Sequence, residues 1–228
     1  SRLQRSIHNA QVGSSSLPLD TKRRPERPFL LLPITPAILN YYMATIFIIH
    51  GAFGNPEENW FPWLKRELEQ YGHTVYIPAF PTPENQSIQS WLEVFQQYEQ
   101  YIDEQTIFIG HSLGPAFILD ILKRTPQPIH AAYFVAGFVS PLNNPTFDTL
   151  NASFVTKSFD WETIKRHCKK FSVFYSDSDP YVSPVHADEL AQLLSITPIN
   201  IPNAGHFNIQ TGYTTFPQLL KKIKEELK

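Results

Sequence analysis

From residue 43 onward, short apolar runs alternate with longer stretches in which apolar residues recur every three or four positions. Short runs that are apolar throughout are typical of strands buried on both faces, as in parallel sheets. Six strands are predicted, at 45–50, 74–77, 106–109, 131–135, 171–175 and 198–201. Their alternation with helices predicts an α/β fold, with a mainly parallel central sheet and helices on both faces.

The longer stretches predict amphipathic helices. In 87–102 the apolar side chains lie three or four residues apart, and Ser87 is a suitable N-cap, so this stripe is expected to pack in the core. Further helices are predicted at 60–71, 113–124, 161–169, 185–194 and 216–227. The chain length suits one main domain.

The first 42 residues differ from the rest of the chain. They contain three consecutive serines, basic clusters and no sustained period of two or 3.6 residues. Met43, the only methionine, directly precedes the first predicted strand, and our hypothesis is that the natural protein begins there. We therefore expect a catalytic domain at 43–228, preceded at 1–42 by a poorly ordered segment that is either appended or a translated leader. An organellar presequence is the minority alternative.

Charge and cysteine content exclude several function classes. The formal charge is −2, but the basic residues are concentrated in 1–42 and the remainder is acidic, which disfavours binding to nucleic acid or to anionic lipid. No apolar run is long enough to span a membrane. Cys168 is the only cysteine, so no intrachain disulfide can form, and we expect core packing for Cys168 and a cytoplasmic location for the protein. No pattern indicates an oligomeric state.

The segment 106–119 carries the strongest chemical signal. An apolar strand, the motif Gly110-x-Ser112-x-Gly114 and an apolar helix follow one another directly. A sharp turn between strand and helix needs small residues on either side of a nucleophilic serine, and Pro115 suits the first turn of a helix. Ser112 is therefore the candidate nucleophile.

A serine nucleophile needs a histidine base and an acid that orients the histidine. In this fold the acid follows the serine in the chain and the histidine comes last. Asp177 and Asp179 both lie in the loop after the strand 171–175, so either can supply the acid. Among eight histidines, His206 is selected because it follows the last predicted strand and adjoins Gly205.

The loop after the first strand is the expected source of a second oxyanion donor. The oxyanion of a tetrahedral intermediate needs two N–H groups, one from the residue after the nucleophile and one from this loop. We assign the amides of Leu113 and Ala52, with Phe53 as a nearby wall of the substrate site. For His50, at the end of the strand, we favour a structural role.

The chain resembles the family of small serine hydrolases typified by retinoblastoma-binding protein 9 and YdeN, within the α/β-hydrolase superfamily. The resemblance covers most of 43–228 and includes His50-Gly51, the segment 59–64, the segment 76–81, Gly110-His111-Ser112-Leu113-Gly114, the segment 159–165 and Gly205-His206-Phe207-Asn208. It implies a compact fold without a large lid domain and a triad of Ser112, Asp179 and His206. Asp179 is preferred over Asp177 because Asp-Pro followed two residues later by Val is common in this loop of related hydrolases.

The sequence thus predicts a serine hydrolase that cleaves small carboxylic esters or amides through an acyl-enzyme, without a metal or organic cofactor. A peptidase, thioesterase or acyl transferase would share that intermediate, and a non-catalytic binding protein would share only the fold. The retinoblastoma-protein binding motif Leu-x-Cys-x-Glu is not matched around Cys168, where Arg166 and Lys170 replace Leu and Glu. We therefore expect a small acyl substrate as the partner.

Overall fold

The computed structural model describes residues 43–227, so the predictions about residues 1–42 fall outside the described residues. The strands are β1 (Thr45–Ile49), β2 (Thr74–Tyr76), β3 (Ile107–His111), β4 (Ala131–Val135), β5 (Phe171–Tyr175) and β6 (Ile199–Asn200). The helices are α1 (Phe61–Gln70), α2 (Ile88–Phe95), α3 (Gly114–Leu122), α4 (Pro145–Val155), α5 (Trp161–Arg166), α6 (Pro184–Leu194) and α7 (Pro217–Glu226). Two short 3₁₀ helices lie at Gln96–Tyr101 and Ile209–Thr211.

The six strands form one parallel sheet in the order β2-β1-β3-β4-β5-β6. All six were predicted from the sequence, and the predicted fold class is confirmed. Because all six strands run in the same direction, their carboxyl ends lie together at one edge of the sheet. The loops at that edge are where ligands bind in open α/β sheets.

Helices pack on both faces of this sheet, which explains why most residues of its strands are apolar. Successive side chains of a strand point to opposite faces. In β1, Ile46 and Ile48 belong to the core that contains α1 and α7, whereas Phe47 and Ile49 belong to the core that contains α2, α3 and α6. Burial of apolar surface against these helices stabilises the folded state by about 25 cal/mol per Å².

Two helices differ from the sequence prediction. The predicted helix at 87–102 is α-helical only to Phe95 and continues as a 3₁₀ helix to Tyr101. Helix α4 was not predicted. It begins where the Asn144 side chain accepts hydrogen bonds from the amides of Thr146 and Phe147, and it is short of apolar residues on its exposed side.

No helix within 43–227 has both the length and the apolar character needed to cross a membrane.

Candidate active site

Ser112 lies at the turn between β3 and α3, at the carboxyl edge of the sheet. Its φ is 58°, in the left-handed region that costs a non-glycine residue energy, and its amide donates to the carbonyl of Val135 at 2.9 Å. A Cβ at Gly114 would stand 2.5 Å from the carbonyl oxygen of Ile49, so only glycine lets α3 approach β1 this closely. The turn projects Ser112 into a pocket.

Asp179 and His206 contact each other directly. Asp179 Oδ2 lies 2.8 Å from Nδ1 of His206, and the side chain of Asp179 is only 1% exposed. The other carboxylate oxygen accepts from the amides of Tyr181 and Val182, at 2.8 and 3.0 Å. Because the carboxylate accepts from Nδ1–H, the neutral ring keeps a lone pair on Nε2, the atom that a general base needs.

Asp177, the alternative acid, lies elsewhere. It is exposed and accepts from the amide of Asn203 at 2.9 Å. The hydroxyls of its neighbours Ser176 and Ser178 accept from the next two amides of the same loop, at 2.9 and 3.1 Å. Three successive side chains therefore tie the loop after β5 to the loop that carries His206.

The His206 loop is fixed from two further directions. His111 Nε2–H donates to the carbonyl of His206 at 2.8 Å, and the two rings lie 4.8 Å apart. Burial, with a smaller effect from the charge of His206, lowers the pKa of His111 to about 3, so His111 is neutral. Trp60 Nε1 donates to the carbonyl of Phe207 at 3.1 Å.

The two candidate oxyanion donors have no acceptor in the part of the protein that the structure describes. Within residues 43–227, the amides of Ala52 and Leu113 donate no hydrogen bond, whereas the amide of Phe53 donates to Thr82 Oγ1 at 2.7 Å. A Cβ at Gly51 would stand 2.6 Å from Cβ of Ser112. The loop after β1 therefore passes directly beside the strand-to-helix turn that carries Ser112 (the elbow). Two unengaged amides next to a serine are what a developing oxyanion requires.

His50 holds this loop in place from the protein interior. It is fully buried; Nδ1–H donates to the carbonyl of Gly51 at 2.8 Å, and Nε2 accepts from the amide of Phe80 at 3.0 Å. Burial lowers its pKa below the usual range. His50 thus joins the loop after β1 to the loop after β2, a structural role.

Ser112 and His206 line one pocket of about 230 Å³, together with Gly51, Ala52 and Phe53. The sequence did not identify the other wall residues, which are Glu58, Asn59, His111, Phe138, Leu142, Phe147, Asn151, Tyr181, Val182, Asn208 and Gln210. Two of them, Phe147 and Asn151, lie on the unpredicted helix α4. The pair Asn144-Pro145, an N-cap followed by proline, was the signal for that helix.

Cys168 lies outside this arrangement. Cys168 is buried away from the pocket, and burial raises the pKa of its thiol to about 12, which keeps it protonated. Within residues 43–227 no group of three His, Cys, Asp or Glu side chains is placed to hold a metal ion.

Comparison with known proteins identifies the family of this chain. Residues 46–225 match the family model described as Serine hydrolase. The chain is 30% identical over 174 residues to the putative hydrolase YdeN of Bacillus subtilis (strain 168), covering 75% of this chain and 90% of that protein. It is 27% identical over 169 residues to the serine hydrolase RBBP9 of Rattus norvegicus, covering 74% and 86%.

Solved structures give the same result. The ydeN gene product of B. subtilis superposes with a TM-score of 0.76 at 28% identity, covering 81% of this chain and 98% of that one. Est1E of Butyrivibrio proteoclasticus shares the fold, with a TM-score of 0.58 at 13% identity, covering 81% and 88%. The resemblance found in the sequence is confirmed, and the chain belongs to the serine hydrolase family, with an α/β-hydrolase fold.

Proposed function

We propose that this protein hydrolyses small carboxylic esters or amides through an acyl-enzyme formed on Ser112, with residues 43–228 as the catalytic domain. One observation carries the proposal. The buried carboxylate of Asp179 lies 2.8 Å from Nδ1 of His206, whose ring lines the same pocket as a serine held at a left-handed elbow. That combination supports nucleophilic catalysis by serine, in which the histidine takes the hydroxyl proton.

In the first half of the reaction, Ser112 Oγ attacks the substrate carbonyl carbon and His206 Nε2 takes the hydroxyl proton. Asp179 stabilises the resulting imidazolium and holds the ring in place. The amides of Ala52 and Leu113 donate to the oxyanion; losing one such donor typically costs about 3 to 4 kcal/mol in the barrier. His206 then gives the proton to the departing alcohol or amine, which leaves the acyl group on Ser112.

Water completes the cycle by the same steps in reverse order. His206 removes a proton from water, the hydroxide oxygen attacks the acyl carbon, and a second oxyanion forms. Collapse of that intermediate breaks the bond to Ser112 Oγ, which recovers its proton from His206. The products are a carboxylic acid and the free enzyme, so every proton is returned.

The size and the apolar wall of the pocket favour substrates with short acyl groups. Its volume is about 230 Å³, and Phe53, Phe138, Leu142 and Phe147 wall it with apolar surface. We expect acetyl and butyryl esters of p-nitrophenol to turn over about tenfold faster than long-chain esters of the same alcohol. The measurement is kcat/KM across the series, below the concentration at which each ester aggregates. Faster turnover of the long chains would refute the preference.

Labelling with a fluorophosphonate tests the proposed nucleophile. Such reagents phosphonylate a serine only when a base accepts its proton. We expect labelling of the wild-type protein and none of Ser112→Ala. An unlabelled wild type would instead favour a binding protein that keeps only the fold.

Ser140→Ala is the matched control for that experiment. Ser140 also lies beside a histidine and a carboxylate: its hydroxyl is 3.3 Å from Nδ1 of His186 and donates to Glu189 at 2.5 Å. Because the hydroxyl proton already points to the carboxylate and Ser140 does not line the pocket, this cluster should not react. Ser140→Ala should label like the wild type.

A further inference from the structure

The pocket contains an acidic side chain that the proposed reaction does not use. Among residues 43–227, Glu58 is the only Asp or Glu that lines it, and no Lys or Arg of this part of the chain lines it. Within residues 43–227, Glu58 belongs to none of the ion pairs. The substrate pocket therefore has one fixed negative charge without a protein counter-ion among the described residues.

The side-chain amides of two neighbouring asparagines hold this carboxylate in place. Asn55 Nδ2 donates to Oε2 at 3.2 Å, and Asn59 Nδ2 donates to Oε1 at 3.4 Å. Asn59 is itself anchored, because its Oδ1 accepts from the amide of Ile209 in the loop that follows His206. Two hydrogen bonds therefore position Glu58 in the pocket wall.

The charge lies against the loop that carries a candidate oxyanion donor. Oε1 is 3.0 Å from the point at which a Cβ on Gly54 would stand, and the Gly54 amide donates to Gly51 at 3.2 Å, closing the turn around Ala52. A negative charge near this turn opposes the development of an oxyanion. A substrate that brought a positive charge to Glu58 would remove that opposition.

Partial burial makes the carboxylate costly to leave unpaired. Desolvation, the larger effect, raises the pKa of Glu58 despite the hydrogen bonds from Asn55 and Asn59. A cationic group supplies the charge that would compensate for this loss of solvent, and a primary ammonium would add hydrogen-bond donors. An anionic group in the same place would add repulsion.

We propose that Glu58 makes this pocket select substrates that carry a cationic group, such as a primary or quaternary ammonium, close to the scissile carbonyl. The inference rests on the proposed esterase or amidase function and narrows its substrate class. Glu58 acts as a specificity residue: it binds a part of the substrate that does not react.

The test compares ester pairs that differ only in charge. Acetylcholine is paired with the ester in which a tert-butyl group replaces trimethylammonium, which places the charge on the alcohol. On the acyl side, the p-nitrophenyl ester of a trimethylammonio-propanoic acid is paired with its tert-butyl isostere. For at least one pair, we expect the ratio of kcat/KM, cationic over neutral, to fall about tenfold in Glu58→Gln, and the wild-type ratio to fall with added salt.

Glu57→Gln is the matched control, since it removes the same charge from an exposed neighbour that does not line the pocket. Its ratios should equal those of the wild type, and thermal unfolding verifies that both variants fold. Equal ratios in wild type and Glu58→Gln for both pairs, with the neutral esters still hydrolysed, would overturn the inference and leave the proposed function intact. A wild type that hydrolyses no ester and takes no fluorophosphonate would overturn both.

Discussion

Replacing Asp179 with asparagine should lower kcat/KM for ester hydrolysis by about 10⁴-fold. The carboxylate oxygen that now accepts from Nδ1–H of His206 would become either an amide oxygen without charge or an NH₂ donor. With the donor facing the ring, the neutral histidine is held in the tautomer whose Nε2 carries the proton, and that atom can no longer serve as a base. Steady-state kinetics with p-nitrophenyl acetate measures the loss.

Asp177→Asn is the control, because Asp177 lies in the same loop, is exposed and binds the amide of Asn203 instead of a histidine. An asparagine oxygen can still accept that hydrogen bond, so activity should change by no more than about twofold. If Asp177→Asn were the damaging change and Asp179→Asn the tolerated one, the assignment of the acid would be reversed.

The protein should lose stability as the pH falls below about 6.5, before carboxyl groups titrate. Burial lowers the pKa of His50, His73 and His111, the last to about 3. In the unfolded chain these rings take up protons near pH 6.5, whereas the folded state resists protonation. The unfolded state therefore binds more protons, and the free energy of unfolding decreases as the pH decreases. For His111 alone, the loss between about pH 6.5 and pH 5 is on the order of 2 kcal/mol.

Urea denaturation of His111→Gln at a series of pH values isolates that contribution. A glutamine amide can donate to the carbonyl of His206 as the imidazole does, but it does not titrate. The variant should be less stable near neutral pH, by about 1 kcal/mol, yet lose less stability on acidification than the wild type. Parallel pH profiles would show that His111 does not resist protonation in the folded state.

The strands were predictable from sequence because burial on both sides leaves little room for polar residues. β4, for example, is apolar at every position, with all five residues buried, and its predicted bounds match the structure. Helix α4 was harder to predict because a polar residue, Asn151, takes one of its buried positions and weakens the apolar period. Its start depends on Asn144, a cap whose effect is local and produces no periodic pattern.

The elbow and the loops after β5 and β6 were predictable for a different reason. A nucleophile at a strained turn requires glycine nearby, and the parallel sheet brings the ends of distant strands to one edge. Glu58 was not predictable, since its separation from basic side chains and its contact with the loop around Gly54 depend on the fold. A glutamate in an ordinary loop has no distinguishing sequence signal.

Hydrogen bonds tie the loop after β5 to the loop after β6. Because of them, the geometry of Asp179 and His206 does not depend on how strongly the outermost strand pairs. β6 has only two residues and is the outermost strand, so its pairing with β5 contributes little. The side chains of Ser176, Asp177 and Ser178 hold three consecutive amides of the opposite loop without help from that pairing. β6 can consequently fray from β5 while the two loops move together, so that His206 stays in contact with Asp179.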